Sequence, residues 1–155
     1  MKVIKGDLIK LALEGHFDVI CHGCNCFCTM GKGIASTIKQ VFPQAYSADR
    51  ETKTGDASKL GSFTYAIVRK PRGEIAVVNA YTQYNYNPKY GMNKQQVDYE
   101  AVRECFKKIK ENFHGYRIGY PKIGAGLAGG DWNIIAEIID EELEGEDHTL
   151  VVLEK

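Results

Sequence analysis

The chain has 155 residues, a length that fits one domain, so we predict one domain over residues 1–155. Twenty Lys and Arg residues balance twenty Asp and Glu residues, and this zero formal charge argues against general nucleic-acid binding. Apolar residues make up 44% and charged residues 26% of the chain, which excludes a disordered, collagen-like or low-complexity protein.

Short apolar runs alternate with amphipathic segments along the whole chain, a pattern that is typical of an α/β domain. In the first part we predict strand 1–5, helix 8–14, strand 17–22, helix 34–42 and helix 44–52. In the second part we predict strands 62–69 and 74–82 with a hairpin turn, an exposed loop at 83–91, helix 94–113, strand 117–120, helix 132–143 and strand 149–153. Asp7 and Asp131 directly precede predicted helices, where a carboxylate can accept a backbone N–H bond as an N-cap.

Two glycine-rich loops, 23–33 and 121–130, each connect the end of a predicted strand to a helix. Glycine lets backbone N–H groups approach phosphate oxygens, and open α/β sheets bind ligands outside the carboxyl ends of their strands. Tight turns alone would also explain these glycines. Neither loop has the Walker pattern, and neither places G-x-G-x-x-G in the first strand-to-helix turn, which disfavours nucleoside triphosphate hydrolysis and the common dinucleotide fold.

His22 and Asn25 lie where the first of these loops begins. A histidine with an ordinary pKa can transfer protons near neutral pH, although a structural histidine fits the position as well. The Asn25 amide has donors and an acceptor, which suit it to orient a hydroxyl group or a water, or simply to form a turn.

Five cysteines, four of them between residues 21 and 28, raise the possibility of zinc or redox chemistry. Structural zinc usually needs a second pair of ligands, and a redox C-x-x-C directly precedes a helix, whereas a loop follows here. We predict buried free thiols, no metal and no cofactor. Because no signal peptide and no apolar run of roughly 18 residues is recognisable, we also predict a soluble cytoplasmic protein without membrane partners. We further expect a monomer.

Three motifs together resemble the macrodomain family of ADP-ribose-binding modules, in its order and spacing. They are KGDL at 5–8, ICHGCNCFCTMGKGIA at 20–35 and YPKIGAGLAGGDW at 120–132. The short MGKGIA loop and the HGCNC strand end are most similar to the branch that holds ADP-ribose 1''-phosphate phosphatases and ester-cleaving ADP-ribosyl hydrolases. The resemblance covers nearly the whole chain and implies a three-layer α/β/α fold with a mixed central sheet.

The same resemblance implies roles for individual residues. Asp7 would accept a hydrogen bond from the adenine amino group, with Leu8 and Leu153 beside the base. Asn25 would hold the distal ribose, and His22 and Asn25 would be the catalytic residues. The residues that would wrap the distal ribose and the phosphates are Gly31, Gly33, Ile34, Ala35, Ile123, Gly124, Ala125, Gly126, Leu127 and Ala128.

Two positions depart from the ester-cleaving branch, which has an attacking lysine nearest Tyr81 and an aspartate nearest Ala128. A phenol forms no Schiff base and alanine does not titrate, which argues against that covalent route. The resemblance therefore implies binding of ADP-ribose and metal-independent hydrolysis of ADP-ribose 1''-phosphate. Two alternatives stay open: a hydrolase that removes ADP-ribose from an ester-linked protein or nucleic acid, and a reader of ADP-ribosylated macromolecules without turnover.

Overall fold

The computed structural model describes residues 1–86, 96–126 and 128–153. Its strands are β1 (Lys2–Lys5), β2 (Val19–Cys24), β3 (Phe63–Lys70), β4 (Gly73–Tyr81), β5 (Ile118–Tyr120) and β6 (His148–Val152). Its α-helices are α1 (Leu8–Leu13), α2 (Gly33–Val41), α3 (Pro43–Arg50), α4 (Tyr99–Asn112) and α5 (Trp132–Glu142), and a 3₁₀ turn covers Ala57–Lys59. No helix within the described ranges is long and apolar enough to cross a membrane.

The strands form one mixed sheet in the order β1-β6-β5-β2-β4-β3. The first five strands in this order are parallel to their neighbours, and β3 pairs antiparallel with β4 at the edge of the sheet. The predicted mixed sheet is therefore confirmed. Because parallel strands end at the same edge, the loops that follow β2 and β5 lie next to each other.

Helices cover both faces of the sheet, which confirms the three predicted layers. Side chains alternate between the faces of a strand, and the two cores follow this alternation. On one face Val19 and Cys21 pack with α4 and α5, whose buried side chains include Phe106 and Ile139. On the other face Ile20 packs with the apolar sides of α1, α2 and α3.

The helix predicted over residues 94–113 begins later in the structure, at Tyr99. Asp98 has extended backbone angles, and its carboxylate accepts a hydrogen bond from Ala101 N at 3.0 Å, so it is the N-cap of α4. Val97 instead forms a β-bridge with Gln83. The predicted start was wrong because the apolar spacing of the helix continues back through Val97. Residues 87–95, which include much of the predicted exposed loop, lie outside the described part of the chain.

The parallel pairing of β2 with β5 depends on a close approach of Phe17 to Gly119. A Cβ atom added at Gly119 would lie 2.8–2.9 Å from three atoms of the Phe17 ring. Just outside the two strands, Arg117 donates two side-chain hydrogen bonds to Asp18, at 3.0 and 3.1 Å. These bonds lower the pKa of the Asp18 carboxyl below its ordinary range.

We expect Gly119→Ala to lower the free energy of unfolding by about 1–3 kcal/mol, because the added methyl group must displace the buried Phe17 ring. Urea denaturation of the purified variant measures this change. Gly31→Ala is the matched control, since a Cβ at Gly31 has no atom within 4 Å. Equal stability of both variants would show that the Phe17 contact does not constrain the sheet.

Candidate functional site

A cleft of about 470 Å³ lies at the carboxyl ends of β2 and β5. Its walls are the two glycine loops, and residues Gln83 and Tyr86 close a third side. The structure therefore brings together most of the residues predicted to bind the ligand. Those that line the cleft are Asn25, Gly31, Gly33, Ile34, Ala35, Ile123, Gly124, Gly126 and Ala128.

Three other predicted ligand-binding residues lie outside the two glycine loops and do not line this cleft. Asp7 is exposed and caps α1, where Lys10 N donates to its Oδ1 atom at 3.1 Å. Leu8 is buried in the core, and Leu153 is 73% exposed just beyond β6. β1 and β6, which end just before Asp7 and Leu153, are parallel neighbours in the sheet. Both residues therefore lie at the carboxyl ends of the strands, as the cleft does, but next to other strands than β2. Their adenine contacts stay predictions.

The second loop holds the two remaining ligand predictions. Ala125 is half-buried and its N–H donates to Lys122 O at 3.3 Å. Leu127 lies outside the described residues. The contact of either residue with a diphosphate stays a prediction.

The amino-terminal end of α2 opens into the cleft without a side-chain cap. Lys32 is the N-cap residue and makes no capping hydrogen bond, and the first turn of α2 contains no acidic residue. The next three residues, Gly33, Ile34 and Ala35, line the cleft. The N–H groups of a first helical turn have no partner within the helix, so they are available to an anion here.

The glycines of the second loop serve two different purposes. A Cβ at Gly124 would lie 2.6 Å from Val97 Cγ2, and one at Gly130 would lie 2.5 Å from Val97 Cγ1, so both positions require glycine for packing. Gly124 also has a φ of +74°, in the left-handed region that favours glycine. A Cβ at Gly126 would instead project into open space, although Gly126 lines the cleft. Packing therefore does not explain the glycine at position 126.

Asn25 lines the cleft and also organises the loop around it. Its Nδ2 atom donates to Thr29 Oγ1 at 2.8 Å, and its Oδ1 atom accepts from Phe27 N at 2.8 Å. The side chain is therefore a turn residue, as one interpretation of the sequence had it, and a cleft residue at the same time.

His22, a predicted catalytic residue, does not line the cleft. β2 continues to Cys24, two residues beyond the predicted strand end, so His22 lies inside the strand and is fully buried. Its Nε2–H donates to Asn79 Oδ1 at 2.7 Å, since the Asn79 amide nitrogen donates to Ala45 O. Burial lowers the pKa of His22 from 6.5 to about 4, so the ring is neutral at pH 7.

Tyr81 is buried, like His22, and does not line the cleft. Its hydroxyl donates to Asp49 Oδ1 at 2.7 Å and lies 2.9 Å from Thr64 Oγ1. Burial raises the pKa of both Asp49 and Tyr81 above their ordinary values. Ala128, by contrast, lines the cleft. Of the two positions that depart from the ester-cleaving branch, only Ala128 faces the site.

The five cysteines are all buried and none forms a disulfide. Burial raises the pKa of Cys21 and Cys24, so these thiols are poor nucleophiles. Within residues 1–86, 96–126 and 128–153, no three His, Cys, Asp or Glu side chains form a group that could hold a metal ion.

Several cleft residues were not predicted from the sequence. Lys32 and Lys122 lie in the two motifs and line the cleft, one in each glycine loop. Their charge next to the glycines was a signal that could have identified them. Tyr86, a tyrosine of the predicted exposed loop that the sequence suits to cover a pocket edge, also lines the cleft and packs on Phe27, with ring centroids 6.0 Å apart. Only its contact with Phe27 was not predicted, because that contact joins two separate loops.

Comparison with known proteins gives relatives along the whole chain. An uncharacterized 17.5 kDa protein of Enterobacteria phage T4 is 36% identical over 145 residues, which cover 90% of this chain and 88% of the relative. The ADP-ribose 1''-phosphate phosphatase of Candida albicans is 26% identical over 153 residues, covering 91% of this chain and 92% of that protein. The structure of Thermosipho africanus DarTG in complex with ADP-ribose has a TM-score of 0.69 and 18% identity, over all of this chain and 43% of that one.

The family model of the Macro domain matches residues 21–139, which include both glycine loops, most of β2 and all of β5. Together with the mixed six-stranded sheet and its helices on both faces, this match shows that the chain belongs to the macrodomain family.

Proposed function

We propose that the protein binds ADP-ribose in the cleft and hydrolyses ADP-ribose 1''-phosphate to ADP-ribose and inorganic phosphate. The observation that carries this proposal is the uncapped amino-terminal end of α2, which opens into a cleft walled by a second glycine loop. A ligand with several phosphate groups needs many converging N–H donors, and this arrangement offers them. The similarity to a protein named ADP-ribose 1''-phosphate phosphatase supports the choice of substrate.

In this proposal, backbone N–H groups bind the phosphates and stabilise the transition state. The N–H groups of Gly33, Ile34 and Ala35 hold phosphate oxygens and stabilise the negative charge that develops on them during attack by water. Hydrolysis breaks the bond between phosphorus and the ribose oxygen, and a proton ends on that oxygen. With Tyr81 buried and Ala128 in the cleft, the chain has no lysine and no aspartate at the two positions of the ester-cleaving branch.

The geometry changes the role that we propose for His22. The His22 ring is neutral, hydrogen-bonded to Asn79 and outside the cleft lining. Cys24 does line the cleft, and its Sγ atom lies 3.5 Å from Nε2 of His22. We therefore propose that His22 is a positioning residue, which fixes the end of β2 and with it Asn25. Direct proton transfer by His22, as the resemblance implied, is the alternative that the variant below tests.

The first test combines calorimetric titration of ADP-ribose with an assay of phosphate released from ADP-ribose 1''-phosphate. We expect the wild type to bind and to release phosphate, and Gly126→Val to lose both while keeping its melting temperature, since its side chain enters open space in the cleft. Thr37→Val, at an exposed α2 position outside the cleft lining, is the control.

The two readouts separate the functions that remain open. No binding at millimolar ADP-ribose would contradict the whole proposal. Tight binding without phosphate release would contradict the phosphatase activity alone, and would favour a reader or a hydrolase that acts on another ester of ADP-ribose.

The adenine contact of Asp7 is tested by Asp7→Ser, because serine still caps α1 but has no carboxylate. If Asp7 binds the adenine amino group, we expect the affinity for ADP-ribose to fall by about 1–3 kcal/mol with little change in stability. Asp131→Ser is the matched control, since the Asp131 carboxylate also caps a helix, by accepting from Asn133 N at the start of α5. Equal affinities of both variants would remove Asp7 from the binding site.

The role of His22 is tested by His22→Gln. Between pH 6.5 and about 4 the unfolded chain binds a proton that folded His22 does not, so the free energy of unfolding falls as the pH decreases through this window. The variant lacks this group, and we expect its stability to fall less over the same window in urea denaturation. We expect kcat to decrease without a change in the shape of its pH profile between pH 6 and 8.

A different outcome would restore direct proton transfer. It would be a loss of about 10²-fold or more in kcat, together with wild-type stability at pH 7 and a lost limb in the pH profile.

A further inference from the structure

The charge of the cleft differs from that of the protein as a whole. The chain has equal numbers of basic and acidic residues, yet the cleft is lined by Lys32 and Lys122 and by no described carboxylate. Both lysines are exposed, and neither forms an ion pair with any residue in the described ranges. The two charges, one in each glycine loop, are therefore available to a ligand.

The position of Lys32 is unfavourable for the free protein. It is the N-cap residue of α2, where its positive charge meets the positive end of the helix dipole. The helices α1, α4 and α5 begin instead with an aspartate whose side chain accepts a backbone N–H bond. An anion bound at the start of α2 would turn this repulsion into attraction, so a ligand accounts for a lysine that helix stability does not favour.

Ala128 contributes to the same property from the opposite loop. It lines the cleft at the position nearest to the aspartate of the ester-cleaving branch. A carboxylate there would repel an anionic ligand across the cleft. The alanine thus leaves the positive charge of the two lysines uncompensated within the described lining.

We infer that Lys32 and Lys122 determine specificity by charge, so that the cleft prefers an ADP-ribose derivative with a further phosphate group over ADP-ribose itself. This inference rests on the proposed function and adds the residues that choose among ADP-ribose derivatives. Hydrolysis removes the extra phosphate, so the product is held less tightly than the substrate and leaves the cleft more readily.

The test compares two ligands in each variant. The kcat/KM for ADP-ribose 1''-phosphate comes from phosphate release, and the Kd of ADP-ribose comes from calorimetry. We expect Lys32→Met and Lys122→Met each to lower kcat/KM about 2- to 5-fold more than they weaken ADP-ribose binding, with a larger effect in the double variant. Lys39→Met is the matched control, because Lys39 lies on α2 outside the cleft lining.

A second pair of variants adds charge instead of removing it. Ala128→Asp should reduce the preference for the phosphorylated ligand. Ala128→Asn measures the steric part of that effect, because asparagine has nearly the same volume as aspartate and no charge. In the wild type the preference should also decrease as KCl is raised, since salt screens exposed charges, and it should decrease less in the double lysine variant.

The outcomes distinguish this inference from the proposed function. If the wild type hydrolyses the substrate but the lysine variants lose activity on it only in proportion to their loss of ADP-ribose affinity, the inference is overturned and the function stands. If the wild type binds both ligands but releases no phosphate, the ratio of the two Kd values from direct titration replaces the comparison of kcat/KM with Kd. Lysine variants that leave this ratio unchanged then overturn the charge preference. A wild type that binds neither ligand overturns both.

Discussion

The parallel pairing of β2 with β5 is the constraint on which the site depends. The two strands are about one hundred residues apart in the chain, yet Val19 pairs with Ile118 and Ile20 with Gly119. This register places both glycine loops at one sheet edge. It also needs the absence of a side chain at Gly119, where the Phe17 ring occupies the space of a Cβ. A small packing requirement inside the protein thus decides where the cleft forms.

The cleft consists largely of backbone and small side chains, and this composition suits a ligand with several phosphates. N–H groups at the start of a helix are fixed in place before the ligand arrives, so little conformational entropy is lost on binding. The two exposed lysines are different, because they are flexible and add charge rather than shape. In the proposed function, the fixed donors position phosphate groups, and the lysines favour a more highly charged ligand.

A hydrogen-bonded layer of polar side chains lies in the protein interior next to the cleft. His22 is bonded to Asn79, Asn79 to Thr64, Thr64 to Tyr81 and Tyr81 to Asp49, so the layer connects β2, β4 and β3 to α3. Buried polar groups are stable only when they are hydrogen-bonded, which ties the positions of these elements together. His22 and Tyr81 are members of this hydrogen-bonded network and are buried, although their chemistry alone would suit them to catalysis.

The sequence by itself determined the α/β class, the two glycine loops and the caps at Asp7 and Asp131. These follow from local patterns, because periodicity, capping and glycine spacing act over a few residues. The mixed sheet and most of the individual cleft residues were implied by the resemblance of three motifs to the macrodomain family. Only the tertiary structure decided that His22 faces the interior and that Lys32 and Lys122 share a cleft. The exact end of a strand and the meeting of distant loops depend on packing between elements, which no local pattern contains.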